Sequence, residues 1–169
     1  MRKMGDTEDR DPTLESQWRP LRLLLATLDA DIARIYEEAG VEGVKTSFVM
    51  ELLRLDAAGP MTITELARSV NRTHSAVSQK VSAMRRAGLV RTRSGADARS
   101  KTVVLTPKAK RIVGQLATEW RATEVALSEL EAELPYPVSR VVGDVEAALG
   151  RRTFYERVRE KLDEDPQWQ

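Results

Sequence analysis

Between Thr73 and Lys80 the chain places Thr73, His74, Ser75, Ser78, Gln79 and Lys80, with no acid among them. Hydroxyl, imidazole, amide and ammonium groups at this spacing suit hydrogen bonding and charge neutralisation better than bond making. Hydroxyls and amides match the donors and acceptors of base edges, and cations match phosphate oxygens. Ser78 and Gln79 are the strongest candidates for base contact, and Lys80 supplies a cation for phosphate. Arg85, Arg93, Arg99 and Lys101 extend the set, with Asp97 as the acid among them. Each residue also has a structural reading. Thr73 or Ser75 can cap a helix, His74 can face solvent at a helix start, and Arg85 with Arg86 can complement a helix C-terminus. Asp97 would be repelled by a polyanion, so its expected role is support: pairing with Arg99 or capping a loop backbone.

The charge map gives these residues a partner. The chain has 169 residues, 27 of them Lys or Arg and 26 Asp or Glu, for a net charge of +1. From Pro60 to Arg111 there are 12 basic residues against 2 acidic ones, Glu65 and Asp97. A strongly basic segment between net acidic flanks points to a polyanionic partner for the middle of the chain. There is no Cys, which excludes disulfides, thiol catalysis and thiolate metal sites, and a single His disfavours a histidine-built metal centre. Neither a glycine-rich phosphate loop nor a Ser-His-acid set stands out, so the chain reads as a non-enzyme with no metal or cofactor. With 41% hydrophobic and 31% charged residues it can bury a core, and no apolar run reaches membrane-spanning length. The segment after Met1-Arg2-Lys3 is polar, unlike a signal peptide, so the expected location is cytoplasmic.

The elements that must position these residues follow from apolar periodicity and punctuation. Residues 1–13 read as a flexible polar tail. Leu14, Trp18, Leu21, Leu25, Leu28, Ile32 and Ile35 alternate in steps of four and three, a heptad seam on a helix ending near Gly40. A second helix spans about Lys45 to Ala58, with Phe48, Val49, Leu52, Leu53 and Leu55 inward and Gly59-Pro60 as its stop. Thr62 with Glu65 forms a capping-box signature for a helix through Val70. Asn71-Arg72 makes a turn, and Thr73 starts a helix to about Ala87, closed by Gly88. Ile63, Leu66, Val70, Val77, Val81 and Met84 would face inward, with Ala67 where the two helices cross. Leu89–Arg93 and Lys101–Leu105 are β-rich runs around a polar loop, a hairpin. Thr106-Pro107 opens a long helix whose seam runs Val113, Leu116, Trp120, Thr123, Leu127, Leu130, Leu134. Pro135-Tyr136-Pro137 breaks it, and a last helix runs from about Val138 to Leu162, with a bend expected at Gly150.

Helix, turn, helix, strand, loop, strand is the order of a winged helix-turn-helix, in which the second helix enters the DNA major groove. The fold class is therefore mostly α with a small β-hairpin wing, flanked by N- and C-terminal dimerisation helices. The boundaries are 14–43 for the N-terminal helix, 44–111 for the reader and 112–169 for the C-terminal helices. In the wing, Arg93, Arg99 and Lys101 straddle the tip, and a narrow minor groove attracts inserted Arg.

Leu66-Ala67, Ser75-Ala76-Val77-Ser78, Met84-Arg85-Arg86-Ala87-Gly88-Leu89-Val90, Asp97-Ala98-Arg99-Ser100-Lys101 and Leu105-Thr106-Pro107-Lys108-Ala109-Lys110 together resemble the MarR family of bacterial regulators. Met84 stands where the family most often has Leu, and Ala98 where a second Arg is common. The resemblance implies a homodimer on a near-palindromic operator, usually a repressor released by a small ligand. It also implies an effector pocket between the reader and the dimer helices. Trp18, Tyr36 and Phe48 are candidates to line it, although aromatics at helical spacing more often form core. The expected partners are thus double-stranded DNA, a second copy of the chain and a small-molecule effector, with no membrane. The alternative is a winged-helix module that docks protein without reading DNA. The basic middle segment argues against that alternative, because a protein-docking face needs an apolar patch.

Overall fold

The computed structural model describes residues 16–94 and 101–168. Asp97, Arg99 and residues 1–13 lie outside the described residues. Among those described, the α-helices are α1 (Arg19–Glu38), α2 (Val49–Ala58), α3 (Ile63–Ser69), α4 (His74–Arg86), α5 (Pro107–Ala132), α6 (Val138–Arg151) and α7 (Phe154–Asp163). The strands are β1 (Met61–Thr62), β2 (Val90–Ser94) and β3 (Lys101–Leu105). No described helix is long and apolar enough to cross a membrane. The chain divides into two compact units, residues up to Ala117 and residues from Thr118, with the boundary inside α5.

In the first unit α3 and α4 form the helix-turn-helix, and local chemistry sets both starts. Thr62 Oγ1 accepts from the Glu65 backbone N–H at 3.2 Å, while the Thr62 N–H donates to Glu65 Oε2 at 2.7 Å. Together these satisfy two otherwise orphaned donors. Thr73 Oγ1 accepts from the Ala76 N–H at 3.2 Å to start α4. The turn between the helices depends on Asn71, whose φ of 50° is left-handed. It lets the Asn71 and Arg72 N–H groups turn back onto the Arg68 and Ala67 carbonyls. Gly88, at φ +71°, closes α4 the same way, with Leu89 N–H donating to the Met84 carbonyl at 3.0 Å. Met84 and Leu89 are fully buried, which is the apolar contact expected of this helix ending.

Leu52, Leu66, Val77, Met84, Leu89, Val90, Val103 and Leu116 centre the core, each at most 2% exposed. The inward set expected on α3 and α4 is buried apart from Ile63, which is half-buried. The hairpin is part of a three-stranded antiparallel sheet of order β1-β3-β2, in which Val90 pairs with Leu105 and Ser94 with Lys101. Met61 pairs with Val103 to add β1, which sequence reasoning had not foreseen. Thr106 Oγ1 accepts from the Ala109 N–H and donates to the Gly88 carbonyl at 2.7 Å, so the expected cap of α5 also ties it to the end of α4.

Two helices differ from expectation. Helix α1 starts at Arg19, because Pro20 occupies a position in its first turn, where a missing N–H costs nothing. The single last helix is two, and the break is at Arg152, not Gly150. Arg152 is extended at φ −153°, and Thr153 with Glu156 forms a second capping box that starts α7. In this second unit Glu131 accepts from the Ser139 N–H at 2.7 Å, closing the start of α6. Arg157 donates to the Arg152 and Ala148 carbonyls at its end, both at 3.2 Å. Neither α6 nor α7 has a buried residue.

Candidate nucleic-acid interface

Helix α4 places the candidate reading residues. Val77, Val81 and Met84 are buried against the rest of the unit. At about 100° per residue, Ser75, Gln79, Ser82 and Arg86 lie on the opposite side. Ser75, Gln79 and Arg86 are exposed and Ser82 is half-buried. His74, Ser78 and Arg85 lie along one flank of that stripe; His74 and Arg85 are exposed and Ser78 is half-buried. Thr73 is exposed and engaged as the helix cap. Ser82 is the addition to the residues weighed from sequence, where Arg86 stood with Arg85 at the helix end, and the rotational position that reveals it is readable from spacing alone.

Lys80 is placed differently from the other candidates. It projects from the inner flank, about 60° from Val77 at the same helical rotation. Its ammonium donates to Glu51 Oε1 of α2 at 2.6 Å. Glu51 is 1% exposed, and its Oε2 has no hydrogen-bond partner. A lysine read from sequence as a phosphate contact is thus held by an internal carboxylate. The signal for Glu51 was a lone acid on the inward stripe Phe48, Leu52, Leu55.

No acid occupies the first turn of α4, so the positive end of its dipole faces no side-chain carboxylate of that turn. Its last turn carries Arg85 and Arg86, which complement the opposite end. Glu65 sits at the start of α3 and is turned onto Thr62. The hydrogen bond from the Thr62 backbone, then that from its hydroxyl, holds the Glu65 carboxyl below its ordinary 4.5.

The wing strands bring further cations together. Arg93 and Lys101 are exposed on β2 and β3. Residues two apart share a strand face, and Arg91 and Arg93 line one open cavity of about 210 Å³ with Lys110 of α5 and Asp56 of α2. Arg91 and Lys110 were not among the expected site residues, although the period-two spacing on β2 pairs Arg91 with Arg93. Of the aromatics expected at an effector pocket, Tyr36 and Phe48 are buried and Trp18 is 56% exposed. Tyr36, buried, borders an open cavity of about 420 Å³ with Val41 and Val44.

A family model described as HVO_A0114 matches residues 46–113. No curated protein matches the chain. Solved structures do. The M. tuberculosis transcriptional regulator MosR in complex with DNA is similar at 25% identity and a TM-score of 0.57, over 82% of this chain and 99% of that one. The S. aureus MepR–DNA complex has a TM-score of 0.59 at 16% identity, over 80% of this chain and 97% of that one. A MarR protein from Peptoclostridium difficile has a TM-score of 0.53 at 15% identity, over 89% and 92%. The helix order, the three-stranded sheet and these likenesses agree: the chain has the winged helix-turn-helix fold of the MarR family of transcription regulators.

Proposed function

We propose that the chain is a sequence-specific DNA-binding transcription regulator that acts as a homodimer. The observation that carries this reading is the outer stripe of α4. Ser75, Gln79, Ser82 and Arg86 sit opposite a buried apolar face, within a segment of 12 basic and 2 acidic residues. Short hydroxyl and amide groups can reach base edges, while the surrounding cations neutralise phosphate. The M. tuberculosis and S. aureus relatives in fold are themselves bound to DNA.

The dimer is supported by uncovered apolar surface at both ends of the chain. On α1, Leu21, Leu25 and Ile35 are 39%, 54% and 46% exposed. On α5 and α6, Leu127, Leu130, Val141 and Val142 are likewise exposed. Apolar faces of this extent mark association surfaces, and a second copy of the chain buries them with two-fold symmetry. Two readers would then address half-sites about 34 Å apart. Arg99 and Lys101 with Arg93 serve the wing, Asp97 supports Arg99, and Thr73 and His74 meet the backbone near the start of α4. As a repressor the dimer would hold a near-palindromic operator and leave it on binding a small effector, which the MarR likeness implies.

The test is selection of binding sites from random double-stranded DNA, then affinity measured across a salt series. The expected result is a two-fold symmetric site and a linear fall of log K with log salt. A chain that enriches no sequence, or binds with no salt dependence, refutes the reading.

A further inference from the structure

Glu51 is the buried charged residue of the first unit among the described residues, and the reading stripe itself makes no use of it. It lies in the first turn of α2, where a helix dipole favours a carboxylate. That field does not compensate for removing the charge from water, so a buried carboxylate must be paired. Its pairing partner is Lys80, whose side chain is 26% exposed against 1% for Glu51. Lys80 is next in sequence to Gln79, in the middle of α4.

We propose that Glu51 is a positioning residue for base reading: by anchoring Lys80 it fixes the rotation of α4 about its own axis, and so which side chains face the base edges. This rests on the DNA-reading function proposed above. The apolar contacts of Val77, Val81 and Met84 hold α4 against the core, but such contacts are non-directional and tolerate small rotations. A charged hydrogen bond of 2.6 Å on the helix flank tolerates far less. With side-chain tips about 5–6 Å from the helix axis, a rotation of about 10° moves Gln79 by about 1 Å. Productive contact geometry demands placement within about 0.5 Å. Phosphate contacts, made by exposed cations that can change rotamer and partner oxygen, absorb such a shift. Loss of the anchor therefore degrades sequence discrimination and leaves charge neutralisation intact, and Lys80 does not count among the phosphate contacts.

The experiment uses the full chain and a DNA site selected with the wild type, beside random duplex of equal length. Failure of the wild type to select any site would sink the DNA-reading function itself, before this proposal is reached. Given a site, Glu51→Gln, Lys80→Met and the double variant are each measured for selected-site affinity, random-DNA affinity and salt slope. The double variant removes both charges together, and a neutral replacement of a buried pair preserves folding. It keeps the test decisive where a single variant unfolds. The expected result for the double variant is a fall of about tenfold in the ratio of selected to random binding, on the scale of one base contact. Random-DNA affinity and salt slope should stay at wild-type values. A double variant with the wild-type ratio overturns the proposal. So does a Lys80→Met protein that loses both affinities equally and about one unit of salt slope, since that is the signature of a phosphate contact.

Discussion

Replacing Leu25 or Leu127 with Asp tests the assembly through surface that a single chain leaves in water. Leu25 on α1 is 54% exposed and Leu127 on α5 is 38% exposed. Full burial of a leucine is worth about 1.5–3 kcal/mol, so covering the exposed half of Leu25 returns about 1 kcal/mol per copy. A two-fold interface counts each position twice, which makes the lost apolar contact alone about 2 kcal/mol. An Asp forced into the seam without a partner adds about 3 kcal/mol per copy, about 6 kcal/mol for the pair. The sum of about 8 kcal/mol raises the dimer dissociation constant on the order of 10⁵–10⁶-fold, taking about 1.4 kcal/mol per decade. Sedimentation equilibrium across micromolar concentrations reads this directly. Circular dichroism should report wild-type helicity at low concentration, because neither leucine belongs to the buried set. A dimer that survives both substitutions with unchanged affinity refutes the argument. So does a wild-type chain that is monomeric at micromolar concentration yet binds its selected site tightly.

Gln79→Ala should lower the ratio of selected-site to random-DNA binding by about tenfold while random-DNA affinity holds, as measured by competition titration. Arg99→Ala should weaken selected-site binding by about 1–2 kcal/mol with the dimer intact, and wild-type affinity would remove the wing from the mechanism. Leu66→Ala deletes a fully buried side chain of α3 and should cost about 2–5 kcal/mol in chemical denaturation. Thr62→Ala removes the cap of α3 and should cost about 1 kcal/mol near neutral pH. The carboxyl of Glu65 is held below its ordinary 4.5 in the folded chain by its bonds from Thr62. Its contribution is therefore complete above about pH 4.5 and is lost as pH falls through the lower folded value. The stability gap between wild type and Thr62→Ala should accordingly narrow in acid, as followed by melting curves at stepped pH.

Legibility in the sequence tracked how local the deciding physics was. The caps at Thr62, Thr73 and Thr106 were readable because a cap needs only a hydroxyl and a backbone N–H three residues on. The inward faces of α3 and α4 were readable because helical spacing alone brings Leu66, Val70, Val77, Val81 and Met84 onto one side of each helix. Strand β1 was not, since its two residues gain strand character only by pairing with Val103 and Thr102, some forty positions away. A pair that short has no periodicity to read. The restart at Thr153 was local and still obscured. Val145, Ala148, Tyr155, Val158 and Leu162 continue an apolar pattern across it, and Gly150 offered a plausible but wrong bend. Lys80 shows a third kind of limit. Its type suits a phosphate contact, while the carboxylate it pairs with belongs to another helix and gives no local signal.

Two carboxylates, Glu65 and Glu51, lie near the surface proposed to face DNA, and each is engaged within the protein. Glu65 keeps its charge, yet both its oxygen-borne hydrogen bonds come from Thr62, so its field is spent on the start of α3. Glu51 lies outside the basic stretch in sequence and beneath α4 in space, where it consumes one lysine and presents no surface. What remains outward along α4 is Ser75, Gln79 and Arg86, with His74 and Arg85 beside them and no acid on the helix. A phosphate backbone approaching α4 meets a first turn without an acidic side chain at one end and two arginines at the other. On the proposed reading, sequence discrimination falls to the short polar side chains between those ends. On that reading the salt slope and the selected-to-random ratio are separable quantities, and variants of α4 should move one without the other.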